Sequence, residues 1–108
     1  MPVYNKLIRD KILEQIQRCG KNYKIEVLSE EQYVKELKEK LKEEVGEYLL
    51  SDTNVQAIEE LADILEVIHA LAKVHGYSFQ DVEDIRREKE VLRGRFEKRL
   101  FLVSVDDK

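Results

Sequence analysis

Residues 55–74 constrain this chain more than any other stretch. Ala57, Ile58, Leu61, Ala62, Ile64, Leu65, Val67, Ile68, Ala70, Leu71, Ala72 and Val74 leave few polar positions between them. A helix that is apolar nearly all round has to be buried on more than one side. The chain has 108 residues, which suits one domain spanning residues 1–108. Three further helices of similar size cannot wrap such a helix completely. The pattern therefore predicts a homo-oligomer, a symmetric dimer or a dimer of dimers, that covers the remaining face.

The rest of the chain also reads as helix. Four glycines and the single proline, Pro2, leave few breakers. Asn5 is positioned to cap a first helix over residues 6–18, stopped near Gly20. Tyr23, Ile25 and Val27 alternate with Lys24 and Glu26, as a short strand does. Ser29 or Glu30 opens a second helix to about residue 50, and residues 51–54 form a loop that also offers caps. The third helix covers residues 55–74. Ser78 and Asp81 resemble a capping box at the head of a fourth, which Gly94 ends after residue 93. Residues 99–105 are rich in β-formers. The expected fold is all-α, a four-helix bundle-like arrangement with a minor β pairing of residues 24–27 with residues 99–104.

Composition narrows the classes. Hydrophobic residues are 43% and charged residues 39% of the chain, too apolar for disorder and too charged for a membrane protein. No run approaches the roughly 18 consecutive apolar residues of a membrane span. The opening MPVYNKLIRDK lacks the apolar core of a secretory leader. Cys19 has no second cysteine to pair with, which fits a reducing cytoplasm. Cys19, His69 and His75 are too dispersed to suggest zinc.

Acidic pairs three residues apart carry no weight by spacing alone. Chance placement of 23 acids among 108 residues gives about as many such pairs as the chain has. The face that each pair occupies does discriminate. At about 100° per residue, Glu44 falls inside the apolar stripe of Tyr33, Val34, Leu37, Leu41, Val45 and Tyr48, and Glu47 at its edge. Glu36 and Glu39 point to solvent. On the third helix Glu60 shares a stripe with Ile64, Val67, Leu71 and Val74, with Asp63 to one side. Two antiparallel helices joined by a short loop can bring Glu44, Glu47, Glu60 and Asp63 together. Buried like charges repel or take up protons unless a cation joins them. An oxygen-only donor set favours Mg²⁺, with Mn²⁺ as a substitute, or Ca²⁺. The competing reading is neutralisation by ordinary salt bridges, with Lys40, one turn before Glu44, as a candidate.

The basic residues fall in two sets. Lys6 and Arg9 pair at i,i+3 on the first helix. Arg86, Lys89 and Arg93 form a stripe beside the apolar face of Val82, Ile85 and Leu92 on the fourth. Both sets suit the oxygens of a polyphosphate near a metal. Residues 86–99 hold seven basic and three acidic side chains. The net charge of −4 and the lack of a helix-turn-helix or zinc pattern speak against nucleic acid.

Three segments carry a family resemblance. Glu43-Glu44-Val45-Gly46-Glu47, then twelve residues, then Glu60-Leu61-Ala62-Asp63 resembles the EExxE…ExxD signature of the MazG-like, all-α nucleoside triphosphate pyrophosphohydrolases. Tyr4-Asn5-Lys6-Leu7-Ile8-Arg9-Asp10-Lys11-Ile12 is similar to the opening of the phosphoribosyl-ATP pyrophosphohydrolase-like branch. Lys89 to Phe96, with Arg93-Gly94-Arg95-Phe96, resembles that branch's Lys…Arg-Gly-Gly-Phe segment. Two positions depart from the pattern: Leu13 stands for a usual proline, and Arg95 for the second glycine.

The resemblance implies an oligomeric helical bundle that cleaves a nucleotide between its α and β phosphates, with a role in clearing non-standard nucleotides. By position, Glu44, Glu47, Glu60 and Asp63 would hold Mg²⁺, and Lys89 and Arg93 would contact phosphate. It does not identify the base. Glu43 and Glu59, each beside a ligand position, are candidates to take the proton of the attacking water. The alternatives are a dedicated phosphoribosyl-ATP pyrophosphohydrolase of histidine biosynthesis, a non-catalytic helical interaction module docking through the third helix, and a nucleic-acid binder using residues 86–99.

Overall fold

The computed structural model describes residues 2–107. It is all-α and bundle-like, with four helices: α1 (Asp10–Arg18), α2 (Glu30–Leu49), α3 (Asn54–Val74) and α4 (Phe79–Arg93). Among the described residues no helix is long and apolar enough to cross a membrane.

The centre of the fold is the hairpin of α2 and α3, which pack along each other. Local chemistry sets its corners. The Ser29 hydroxyl accepts from the Gln32 amide at 3.3 Å, which makes Ser29 the cap of α2. Thr53 caps α3 by accepting from the Gln56 amide at 3.2 Å, and the Gln56 side chain accepts from the Asp52 amide at 3.2 Å. These bonds satisfy donors that a helix start leaves unpaired. They allow residues 50–53 alone to reverse the chain. The expected stripes face inward. Leu37 and Val67 are buried, and Val34, Leu41, Ile64, Leu71 and Val74 are half-buried.

α4 opens on the capping box expected from Ser78 and Asp81. The Ser78 amide donates to Asp81 Oδ2 at 2.8 Å, and the Asp81 amide donates to Ser78 Oγ at 3.2 Å. The helix ends at Gly94, whose φ of 79° is readily adopted only by glycine. α4 touches α3 and no other helix. Phe79, its first residue, stacks on His69 with ring centroids 4.0 Å apart.

Two expectations fail. The first helix begins at Asp10 rather than Lys6. Asn5 adopts a left-handed φ of 47° and caps nothing, while Arg9, at the actual N-cap position, makes no side-chain capping bond. Residues 3–9 instead run without helix toward the α2–α3 hairpin, and α1 packs against no other helix.

The β pairing of residues 24–27 with residues 99–104 does not form, and no strand exists among the described residues. Both segments are exposed. The alternation of Tyr23, Ile25 and Val27 has no layer to pack on, and an isolated two-stranded pairing without a packed face is marginal in water.

Candidate metal centre

Five carboxylates from two helices converge across the hairpin. Oxygens of Glu44, Glu60 and Asp63 lie within 4.8 Å of one another, as do oxygens of Glu43, Glu44 and Glu47. Glu44 belongs to both groups and links them. It is 7% exposed, the only buried charged residue among those described. The helical period accounts for this: Glu44 sits one turn from Leu41 and Tyr48 on the inward stripe of α2, and Glu60 precedes Ile64 and Val67 on that of α3.

The electrostatics register the crowding. Burial pushes the Glu44 carboxyl up to about 7, helped by hydrogen bonding with Glu60 and repulsion from Glu47 and Asp63. Glu60 is also raised, by burial first and then by Glu47 and Asp63, although its bond with Glu44 pulls the other way. Oε2 of Glu44 and Oε2 of Glu60 are buried with no hydrogen-bond partner.

The salt-bridge reading is realised only in part. Lys40 Nζ lies 3.7 Å from Glu44 Oε1 and 3.7 Å from Glu43 Oε2. Lys6 donates to Glu43 at 3.0 Å, and Arg9 Nη2 to Asp63 Oδ1 at 2.8 Å. Five carboxylates thus face three cations, which leaves two negative charges uncompensated when all are ionised. The two orphan oxygens fall on Glu44, the buried member, and on Glu60. A hard dication with oxygen ligands fits this donor set and this charge deficit.

The other expected residues divide. The Lys6 ammonium beside Glu43 holds that carboxyl below the usual range and is itself raised by it. Glu59 is exposed and belongs to neither acidic group. Lys6 and Arg9 reach the centre, but from an extended segment rather than from the expected helix.

The stripe on α4 does not join the centre. Arg86 donates to Glu83 at 2.9 Å and to Glu90 at 2.7 Å, on its own helix. Lys89 and Arg93 are exposed and make no ion pair among the described residues. Arg95, the departure from glycine, binds Glu90 at 2.7 Å.

Sequence reasoning missed the cleft of about 490 Å³ beside the carboxylates, lined by Asn5, Lys6, Leu7, Glu36, Glu39, Lys40, Lys42 and Glu43. Glu36 and Glu39, expected to face open solvent, line it instead. No local signal could have found it, because one wall comes from the N-terminal segment and the other from α2.

No family model, curated protein or solved structure matches the chain.

Proposed function

We propose that this chain is a Mg²⁺-dependent nucleoside triphosphate pyrophosphohydrolase of the cytoplasm, acting as a homo-oligomer. It splits the α–β anhydride to a nucleoside monophosphate and pyrophosphate. The observation that carries this reading is the pair of buried, partnerless oxygens on Glu44 and Glu60 inside a carboxylate group that, fully ionised, has two more charges than its cations offset. The MazG-like spacing of those acids supports the same reading.

Glu44, Glu47, Glu60 and Asp63 would hold the cation. When bound, it offsets charge on phosphoryl oxygens and acidifies a coordinated water. The chain's own groups supply the rest. Lys6 and Lys40 line the neighbouring cleft, whose size suits a small ligand. Lys6 and Arg9 bind the departing pyrophosphate when the polyphosphate draws them from Glu43 and Asp63. Loss of Lys6 raises the basicity of Glu43, because the Lys6 hydrogen bond is the main cause of its lowered pKa. Glu43 then accepts the proton of the attacking water as the phosphoanhydride P–O bond breaks and pyrophosphate departs.

A panel of standard, damaged and phosphoribosyl-linked adenosine triphosphates, assayed with Mg²⁺, is expected to release pyrophosphate rather than orthophosphate. No pyrophosphate above the background of Glu44→Ala, for every member, would rule the activity out. Lys6→Ala is expected to raise KM about tenfold, the usual effect of losing one charge-assisted hydrogen bond. Urea melts of the same variant should move little, because the Lys6 side chain is half-exposed and surface ion pairs contribute little to stability.

A further inference from the structure

Residues 2–9 are held on the hairpin almost entirely by charge. Among the described residues no backbone hydrogen bond joins them to α2 or α3. Their side-chain hydrogen bonds to the hairpin are those of Lys6 with Glu43, at 3.0 Å, and of Arg9 with Asp63, at 2.8 Å. Leu7 alone is half-buried, while Val3 is 78% and Tyr4 73% exposed. Behind this segment α1 packs against no other helix, and residues 21–27 lead to α2 exposed and without helix. The Lys6 and Arg9 side chains are themselves half-exposed, and ion pairs of that kind are individually weak. The attachment therefore depends on how negative the acidic centre is.

We infer that residues 2–9 form a strap that the acidic centre holds while it has no dication and loosens when it binds one, because Lys6 and Arg9 neutralise the same carboxylates that the dication would. Glu43 belongs to one acidic group and Asp63 to the other, and the two groups share Glu44, which is 7% exposed and has a partnerless Oε2. With all five carboxylates ionised, Lys40 alone would leave four negative charges to hold Lys6 and Arg9. A bound dication halves that charge. The Lys6 ammonium is stabilised by Glu43 first, but also by Glu47 and Glu44, so a cation among those acids repels it directly. The coupling is reciprocal: the strap weakens cation binding by the factor by which the cation weakens the strap. Loosening also withdraws Asn5, Lys6 and Leu7, one wall of the cleft beside the carboxylates, and lets Lys6 and Arg9 pass to phosphate oxygens. Cation binding thus prepares the cleft for the nucleotide. The inference rests on the cation site of the proposed function and not on nucleotide cleavage.

The test uses the full chain and Mg²⁺ alone. In a Cys19→Ser background, spin labels at Val3→Cys and Lys38→Cys, both exposed and outside the acidic groups, report the distance from strap to α2. The distribution is expected to be narrow in EDTA and to broaden with Mg²⁺. Adding Lys6→Gln and Arg9→Gln should broaden it already in EDTA. By calorimetry the Lys6→Gln/Arg9→Gln protein should bind Mg²⁺ about tenfold more tightly than the wild type, within the usual range of such couplings. Lys35→Gln/Lys42→Gln removes the same charge outside the two acidic groups and should change the affinity far less. Helical circular dichroism should be the same for all variants, because the replaced side chains are at least half-exposed. Mg²⁺ binding with an unchanged distance distribution overturns the strap, even in a protein that releases pyrophosphate. Equal Mg²⁺ affinity with and without Lys6 and Arg9 overturns it too, and so does an absence of Mg²⁺ binding, which also removes the cation site. Mg²⁺-driven broadening in a protein that releases no pyrophosphate supports the strap and ends only the catalytic reading.

Discussion

Glu44→Gln is expected to abolish pyrophosphate release and, in the same protein, to raise the melting temperature measured in EDTA. The two effects have one origin. Glu44 is buried among Glu47, Glu60 and Asp63, and its ionised form is disfavoured there. An amide of the same shape removes a charge from the cluster and adds a donor for its neighbours, which stabilises the metal-free fold. A gain of about 1 kcal/mol moves the midpoint of a domain this size by about 4–8 °C. The same exchange removes a carboxylate from the proposed metal site. Losing even an outer partner of a metal ligand costs roughly 10–100-fold in affinity or activity, so turnover should fall on the order of 100-fold or more. Asp63→Ala should match the loss of turnover. An acid that serves structure alone would show the reverse, a lower melting temperature with catalysis intact. Calorimetry with Mg²⁺ and a thermal melt in EDTA decide between them.

The second large effect is a pH dependence that the cation reverses. A carboxyl raised in the folded state to about 7 from an unfolded value near 4.5 means that the native protein binds more protons than the unfolded chain between those values. The stability that this carboxyl contributes to the metal-free protein is then fully present below pH 4.5 and is lost as pH rises through the window to about 7. A tenfold difference in proton affinity between the two states corresponds to about 1.4 kcal/mol, so the loss due to Glu44 from about pH 5 to about pH 8 is about 3 kcal/mol at most. Glu60 is raised as well and acts in the same direction. Glu43, Glu83 and Glu90 are held low by Lys6, Arg86 and Arg95. Their contribution fades only as pH falls below the usual carboxylate range, outside this window. Saturating Mg²⁺ at about pH 8 should restore the loss, since a ligand at about one hundred times its Kd adds about 2.7 kcal/mol. Urea melts across this range, with EDTA or with Mg²⁺, read both slopes. A flat or rising EDTA series would end the case for a strained carboxylate cluster.

The converging acids were legible in the sequence because a helix repeats on a fixed period. Leu37 and Leu41 fix which way α2 faces, and Glu44 follows from them by counting residues. Ile64, Val67 and Leu71 do the same for Glu60. The caps at Ser29, Thr53 and Ser78 are equally local, each set by an oxygen within reach of an amide three residues ahead. What the counting could not supply was how elements without a strong packing face are disposed. The β pairing failed because strand formation depends on a layer beneath it, which these segments lack. Lys6 meets Glu43 across 37 residues and Arg9 meets Asp63 across 54. Those pairings arise from the path of an extended segment, and no periodicity encodes such a path. Likewise Arg86 bonds along its own helix, because Glu83 and Glu90 lie one turn either side of it. Helical period thus decided which acids point inward, and the tertiary path of the chain decided which cations meet them, since charge attraction is long-ranged and carries no register of its own.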